Sequence, residues 1–169
     1  MPQLLNFLIS FATALILHEL GHFVAARGFS VGVKALGLGW GPTIYRRNIS
    51  QTEWQIRLLP LGAFVRMDME TFKQRRVNQQ LIILGAGIFV NLVFAVLTWG
   101  TLFGVLNLGL AIGNALPLYQ QDGWKGAMVL SRGMLGRKSP LVEWTLTIIG
   151  GLMALAVVAR ALMVLSMQA

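Results

Sequence analysis

No cysteine occurs among the 169 residues of this chain. Disulfides and thiolate metal ligands are both excluded, so any zinc must be held by histidine nitrogen and carboxylate oxygen. Charge is scarce too. Charged residues make up 12% of the chain against 56% hydrophobic ones, and the mean hydropathy is +0.68. That is too apolar for a water-soluble globule of this size and indicates an integral membrane protein. The few charges are unbalanced, with 14 Lys and Arg against 6 Asp and Glu, for a net charge of +8. Such an excess also serves nucleic-acid binders, but here it gathers in a few loops, as cytoplasmic loop bias requires, and no nucleic acid is expected as a partner. The first apolar run has no basic stretch before it and no small-residue cleavage site after it, so it reads as a retained membrane span rather than a signal peptide.

Histidine is the next scarcity. The only two are His18 and His22, in His18-Glu19-Leu20-Gly21-His22, an H-E-x-x-H sequence inside a long apolar run that begins at Leu4. Four apart on a helix, two imidazoles project from one face and can bind one metal ion. Zinc suits them. Glu19 falls beside them, where a carboxylate can take a proton from water acidified by the metal, the arrangement of metal-assisted peptide hydrolysis. An ionisable group at this depth costs on the order of 2.5–3.5 kcal/mol even on the gentlest insertion scale, which argues against an incidental polar cluster.

The periodicity predicts a membrane α-helical protein, read as one domain over residues 1–169. About four transmembrane helices are expected near residues 2–27, 79–106, 110–135 and 140–165, with a small membrane-associated β-region near 29–67 between the first and second. In that β-region Trp54, Ile56 and Leu58 fall on one face and Glu53, Gln55 and Arg57 on the other, as in a sheet that rests on an apolar surface and turns its back to water. Gly37 to Pro42 and Leu59 to Gly62 read as turns or sheet breaks. The second span carries Gly85, Gly87 and Asn91, residues that allow close helix approach and an interhelical hydrogen bond; Asn91 is also a candidate support for the site. Asn107-Leu108-Gly109 reads as a tight connection. The third segment is interrupted by Asn114, Pro117, Gln120, Gln121 and Asp122, so a break beside a functional site is expected there. Asp122 is the natural third zinc ligand, leaving a fourth position open; the competing reading is a cap on a helix that restarts at Gly123. Glu143 fits the first turn of the last span.

Apart from Arg160, every Lys and Arg lies between Arg27 and Arg76 or between Lys125 and Lys138. Both stretches are therefore expected in the cytoplasm, including Arg46, Arg75 and Arg137, with both termini outside. The ligand-bearing ends of the first and third segments then meet on the cytoplasmic side.

With these residues in place, the chain resembles the site-2 protease family of intramembrane zinc metalloproteases, above all its bacterial branch that cleaves anti-sigma factors. His18 to His22 matches the family's H-E-x-x-H, and Asn114 to Gly123 matches its N-x-x-P-x-x-x-x-D-G. Gly32 to Pro42, Thr52 to Trp54 and Leu59 to Val65 look like its membrane-associated β-region, and Gly87-x-x-x-Asn91 looks like its second-helix motif. Ile88 and Trp124 stand where the family commonly has Pro and a second Gly. The resemblance implies an endopeptidase of the prokaryotic cell membrane with one zinc per chain, held by His18, His22 and Asp122, and with Glu19 as the catalytic base. It also implies a minimal core without PDZ or CBS domains. Its substrate would be a single-pass membrane protein, such as an anti-sigma factor-like protein in the lipid bilayer. Unwound substrate would pair with an edge strand near Thr52 to Leu58, with Thr52, Trp54, Ile56, Asn91 and Asn114 as contacts. The alternatives are a non-proteolytic zinc-binding adaptor, against which intact Glu19 argues, and a metal transporter, for which the spans offer too few ionisable residues.

Overall fold

The computed structural model describes residues 1–136 and 139–168, so Arg137 and Lys138 of the second basic stretch lie outside the described residues. The chain divides into two compact units, one from Met1 to Ile112 and one from Gly113 onward.

In the first unit, helix α1 (Pro2–Gly28) leads into strands β1 (Val33–Ile49) and β2 (Thr52–Met67), the short helix α2 (Met69–Lys73) and helix α3 (Val77–Leu97). Pro2 opens α1 at a position where its missing N–H costs nothing, and Ser30, with φ of 55°, turns the chain out of it. Helix α3 packs along α1 with Ile83, Leu84, Gly87, Asn91 and Ala95 buried. Two features hold the base of the sheet. The Asp68 N–H donates to the Gly32 carbonyl at 2.7 Å, and the Lys34 ammonium lies 2.8 Å from Asp68. This hydrogen-bonded partner holds the Asp68 carboxyl below its ordinary range and raises Lys34.

The two strands are long and folded on themselves. Ala35 to Leu38 is flanked on one side by Arg66 to Ala63 and on the other by Glu53 to Ile56, while Arg46 to Ile49 pairs with Gln55 to Thr52. The Thr52–Ile56 arm is therefore an inner arm, paired on both sides, and the free edges are Thr43–Ile49 and Ala63–Met67. The edge expected at Thr52 to Leu58 is thus corrected. Sequence alternation finds strands but carries nothing about which neighbour each one takes. The breaks expected at Gly37 to Pro42 and Leu59 to Gly62 lie inside the strands, where Gly39, Gly41 and Gly62 take φ of 94°, 88° and 98° and bend them. Ser50 and Gln51, both with positive φ, form the two-residue turn between Ile49 and Thr52. The expected faces of the Thr52–Leu58 arm are also revised, because Gln55 is buried and Ile56 and Leu58 are exposed. Gln55 donates to Glu53 at 2.6 Å and accepts from Arg57 at 3.2 Å, so its polar group is satisfied within the sheet.

Among the described residues three helices are long and apolar enough to cross a membrane, Pro2–Gly28, Val77–Leu97 and a stretch of the last helix, Pro140–Val164. The protein is an integral membrane protein. The expected count of about four is corrected by two chain breaks. The second span stops at Leu97 rather than 106, because the Thr98 hydroxyl closes the helix on the Phe94 carbonyl and the Thr101 hydroxyl accepts the Gly104 N–H to start helix α4 (Leu102–Ala115). The expected connection at Asn107 lies within α4, where its side chain donates to the Phe103 carbonyl. At about 21 Å, α4 is shorter than the hydrocarbon core. The break expected at Pro117 is found: α4 ends at Ala115, and six residues separate it from helix α5 (Asp122–Leu135).

In the second unit, α5 and helix α6 (Pro140–Gln168) pack together. Gly150 makes the docking possible, since a Cβ there would lie 2.8 Å from the Pro117 carbonyl oxygen and 3.0 Å from the Trp124 ring. The Tyr119 N–H donates to the Gly150 carbonyl at 3.1 Å and the Trp124 indole to the Leu146 carbonyl at 3.3 Å. Arg132 of α5 pairs with Glu143 of α6 at 2.7 Å.

Candidate metal centre and peptide groove

Helix α1 brings His18 and His22 to one buried face. Their Nε2 atoms approach to 3.1 Å with the rings nearly perpendicular, at 83°. Two nitrogens bound tetrahedrally to one zinc at 2.0–2.1 Å sit about 3.3 Å apart, so the pair is already spaced as ligands of one ion. The Nδ1–H of His22 donates to the Ile83 carbonyl at 2.8 Å, which fixes the tautomer that turns the Nε2 lone pair toward His18. The tautomer is set by a backbone atom of α3.

Gly87 sits one turn further along α3. A Cβ built there would lie 2.5 Å from His22 Nε2 and 2.7 Å from His18 Cε1. Both rings therefore rest on bare backbone, and the absence of a side chain is what leaves the nitrogens room to converge. Asn91, one turn beyond, completes the stripe. Helical side chains lean toward the N-terminus of their own helix, so the Asn91 amide leans over the Gly87 opening. It is completely buried, and among the described residues neither its nitrogen nor its oxygen has a hydrogen-bond partner. Each orphaned group costs about 1–3 kcal/mol.

Glu19 lies next to the buried pair and lines a cavity of about 400 Å3 between α1 and the sheet. Tyr45, Arg47 and Ile49 of the free edge line it, as do Trp54, Gln55 and Ile56 of the inner arm. Trp54 and Ile56, both read from the sequence as substrate contacts, line this cavity. Thr52 does not, being buried with its hydroxyl donating to the Val33 carbonyl at 2.9 Å, a bond that ties hairpin to sheet. Sequence reading passed over Tyr45, Arg47 and Ile49, although their alternation into the Ser50-Gln51 turn was the available signal.

In the second unit, Asn114 lies on the last turn of α4, half-buried. Asp122 is the first residue of α5, buried, with its Oδ1 accepting from the Lys125 ammonium at 2.9 Å. Gln121 occupies the N-cap, so the capping role considered for Asp122 is not the one it takes. Lys125 is a further residue that sequence reading missed.

The model of peptidase family M50 matches residues 6–105. The chain belongs to this family, the site-2 protease family. M50 relatives include a Clostridium perfringens protein provisionally named a zinc metalloprotease, 34% identical over 115 residues that cover 63% of this chain and 32% of the relative. The Yersinia pestis Protease RseP and the Salmonella typhimurium Regulator of sigma-E protease RseP are each 32% identical over 130 residues, 68% of this chain and 29% of theirs. This M50 chain spans about a third of the length of the curated relatives it matches.

Proposed function

We infer that the chain carries a zinc-dependent endopeptidase activity that hydrolyses peptide bonds in or beside the transmembrane segment of a membrane protein. The observation that carries this reading is the converging Nε2 pair of His18 and His22, with Glu19 next to it in the wall of an apolar cavity. Relatives named as zinc metalloprotease and as regulators of sigma E protease support it, and support an anti-sigma factor-like, single-pass substrate. Asp122 would be the third ligand to one zinc per chain, a carboxylate completing two imidazoles. When bound, the ion supplies Lewis-acid polarisation of a carbonyl and acidification of water. Glu19 takes the proton of the attacking water and hands it to the leaving amine. Asn91 and Asn114 offer amide groups to the substrate backbone.

A substrate helix must unwind before its backbone is cut, and unpaired N–H and C=O groups at membrane depth cost several kcal/mol. The free Thr43–Ile49 edge offers partners at once. Across a two-residue turn, Ile49 and Thr52 exchange hydrogen bonds, and the bonding alternates along the ladder, so the N–H groups of Arg46 and Asn48 point outward. Asn48→Pro should therefore reduce cleavage of a single-pass reporter in proteoliposomes about tenfold or more while zinc content stays near wild type. Undiminished cleavage would remove this edge from the mechanism. Ile56→Pro is expected to disrupt the sheet instead, because that residue is an inner one.

The basic residues between Arg27 and Arg76 support a site facing the cytoplasm of a prokaryotic cell membrane, with the N-terminus outside. Cysteine introduced at Arg75 should react with a membrane-impermeant reagent only from the cytoplasmic face; labelling from outside would reverse the assignment.

A further inference from the structure

The cavity beside Glu19 is lined almost entirely by apolar groups, and Arg47 is the one basic side chain in its wall. The other basic residues around it have partners. Arg46 pairs with Glu53 at 2.8 Å, Lys34 with Asp68 at 2.8 Å, and Arg57 bonds to Gln55 while its guanidinium lies 4.4 Å above the Phe64 ring. Among the described residues no ion pair or hydrogen bond is made by the Arg47 guanidinium. A guanidinium with no ion pair, exposed at the rim of a largely apolar cavity, is matched best by a ligand that brings its counter-ion.

The strand geometry states where that counter-ion must be. Side chains alternate along Thr43–Ile49, and Tyr45, Arg47 and Ile49 share the face that lines the cavity. In a peptide added to this edge, the residue opposite Arg47 projects from the same face, its Cβ about 4.5–5.5 Å away. The residues two before and two after it stand opposite Tyr45 and Ile49. Resting on the endopeptidase reading above, we propose that Arg47 is a specificity residue, which selects substrates carrying one Asp or Glu flanked at both second neighbours by apolar residues. The pattern is symmetrical, so it holds whichever way the peptide runs. Such a segment occurs where an apolar span meets its first acidic loop residue.

The test uses the full chain in proteoliposomes with three reporters that differ only at the central position, Glu, Gln or Lys. Wild type should favour Glu over Gln about tenfold in kcat/KM, the scale of a hydrogen bond to a charged group. Arg47→Gln should bring that ratio close to one, and Arg47→Glu should make Lys the preferred residue. Zinc content checks that each variant is folded. Synthetic peptides of the same three sequences binding to Glu19→Gln, followed by fluorescence anisotropy, should show the same ranking without any turnover. An unchanged Glu-to-Gln ratio in both Arg47 variants would overturn the proposal. So would an equal slowing of all three reporters, which would mean that Arg47 acts through the sheet or through Glu19. Absence of cleavage by wild type with the binding preference intact would count against the endopeptidase reading and leave this one standing.

Discussion

Gly87→Val should lose most of its zinc. Even a methyl at this position would fall 2.5 Å from His22 Nε2 and 2.7 Å from His18 Cε1. One of three things must then give way: the rotamer of a ring, the His22 to Ile83 hydrogen bond, or the contact between α1 and α3. The first two are what make the nitrogens converge. A three-ligand site has none to spare, so loss of one imidazole should reduce occupancy from about one zinc per chain to a small fraction, and cleavage should fall with it. Gly87→Ala should show the same effect in weaker form, and Gly85→Val, a substitution where a Cβ meets nothing within 4 Å, should keep its metal. Asp122→Ala belongs in the same series. If it retains full zinc, the third ligand has been misassigned. Metal analysis of detergent-purified protein reads all four, and a fully loaded, active Gly87→Val would show that the rings do not rest where the geometry places them.

What could be read in the sequence was the chemistry that depends on local spacing. His18, Glu19 and His22 fall together because a helix makes neighbours of residues three and four apart, and the helix-breaking effect of Pro117 is a property of that residue alone. Asp122, the proposed third ligand, came from the scarcity of acids in the apolar runs and from a motif. Features set by partners distant in sequence were not legible. The inner position of Thr52–Ile56 depends on β1 folding back to place Ala35 to Leu38 beside it, and no property of Thr52 to Ile56 encodes that. For the same reason Gln55, polar and expected to face water, is buried, satisfied by Glu53 and Arg57 on its own strand. The end of the second span was misjudged because apolar residues continue unbroken in character past Leu97, while the break is made by two threonine hydroxyls that a hydropathy reading ignores. The role of Gly87 was visible only as permission for close packing; that the neighbours so admitted are the two imidazoles is a fact of the α1 and α3 register.

The central claim is that Glu19 moves the proton for a metal held by its neighbours. Glutamine keeps the size of the side chain and its place in the cavity wall but cannot accept the proton. General acid and base work of this kind contributes about 10²–10⁴-fold in rate. The decisive measurement is therefore cleavage of a single-pass transmembrane reporter by wild type and Glu19→Gln in matched proteoliposomes, with zinc determined on the same samples. The account predicts about one zinc per chain in both, and a rate for Glu19→Gln at least about a hundredfold lower. Equal rates in two equally zinc-loaded proteins would contradict it.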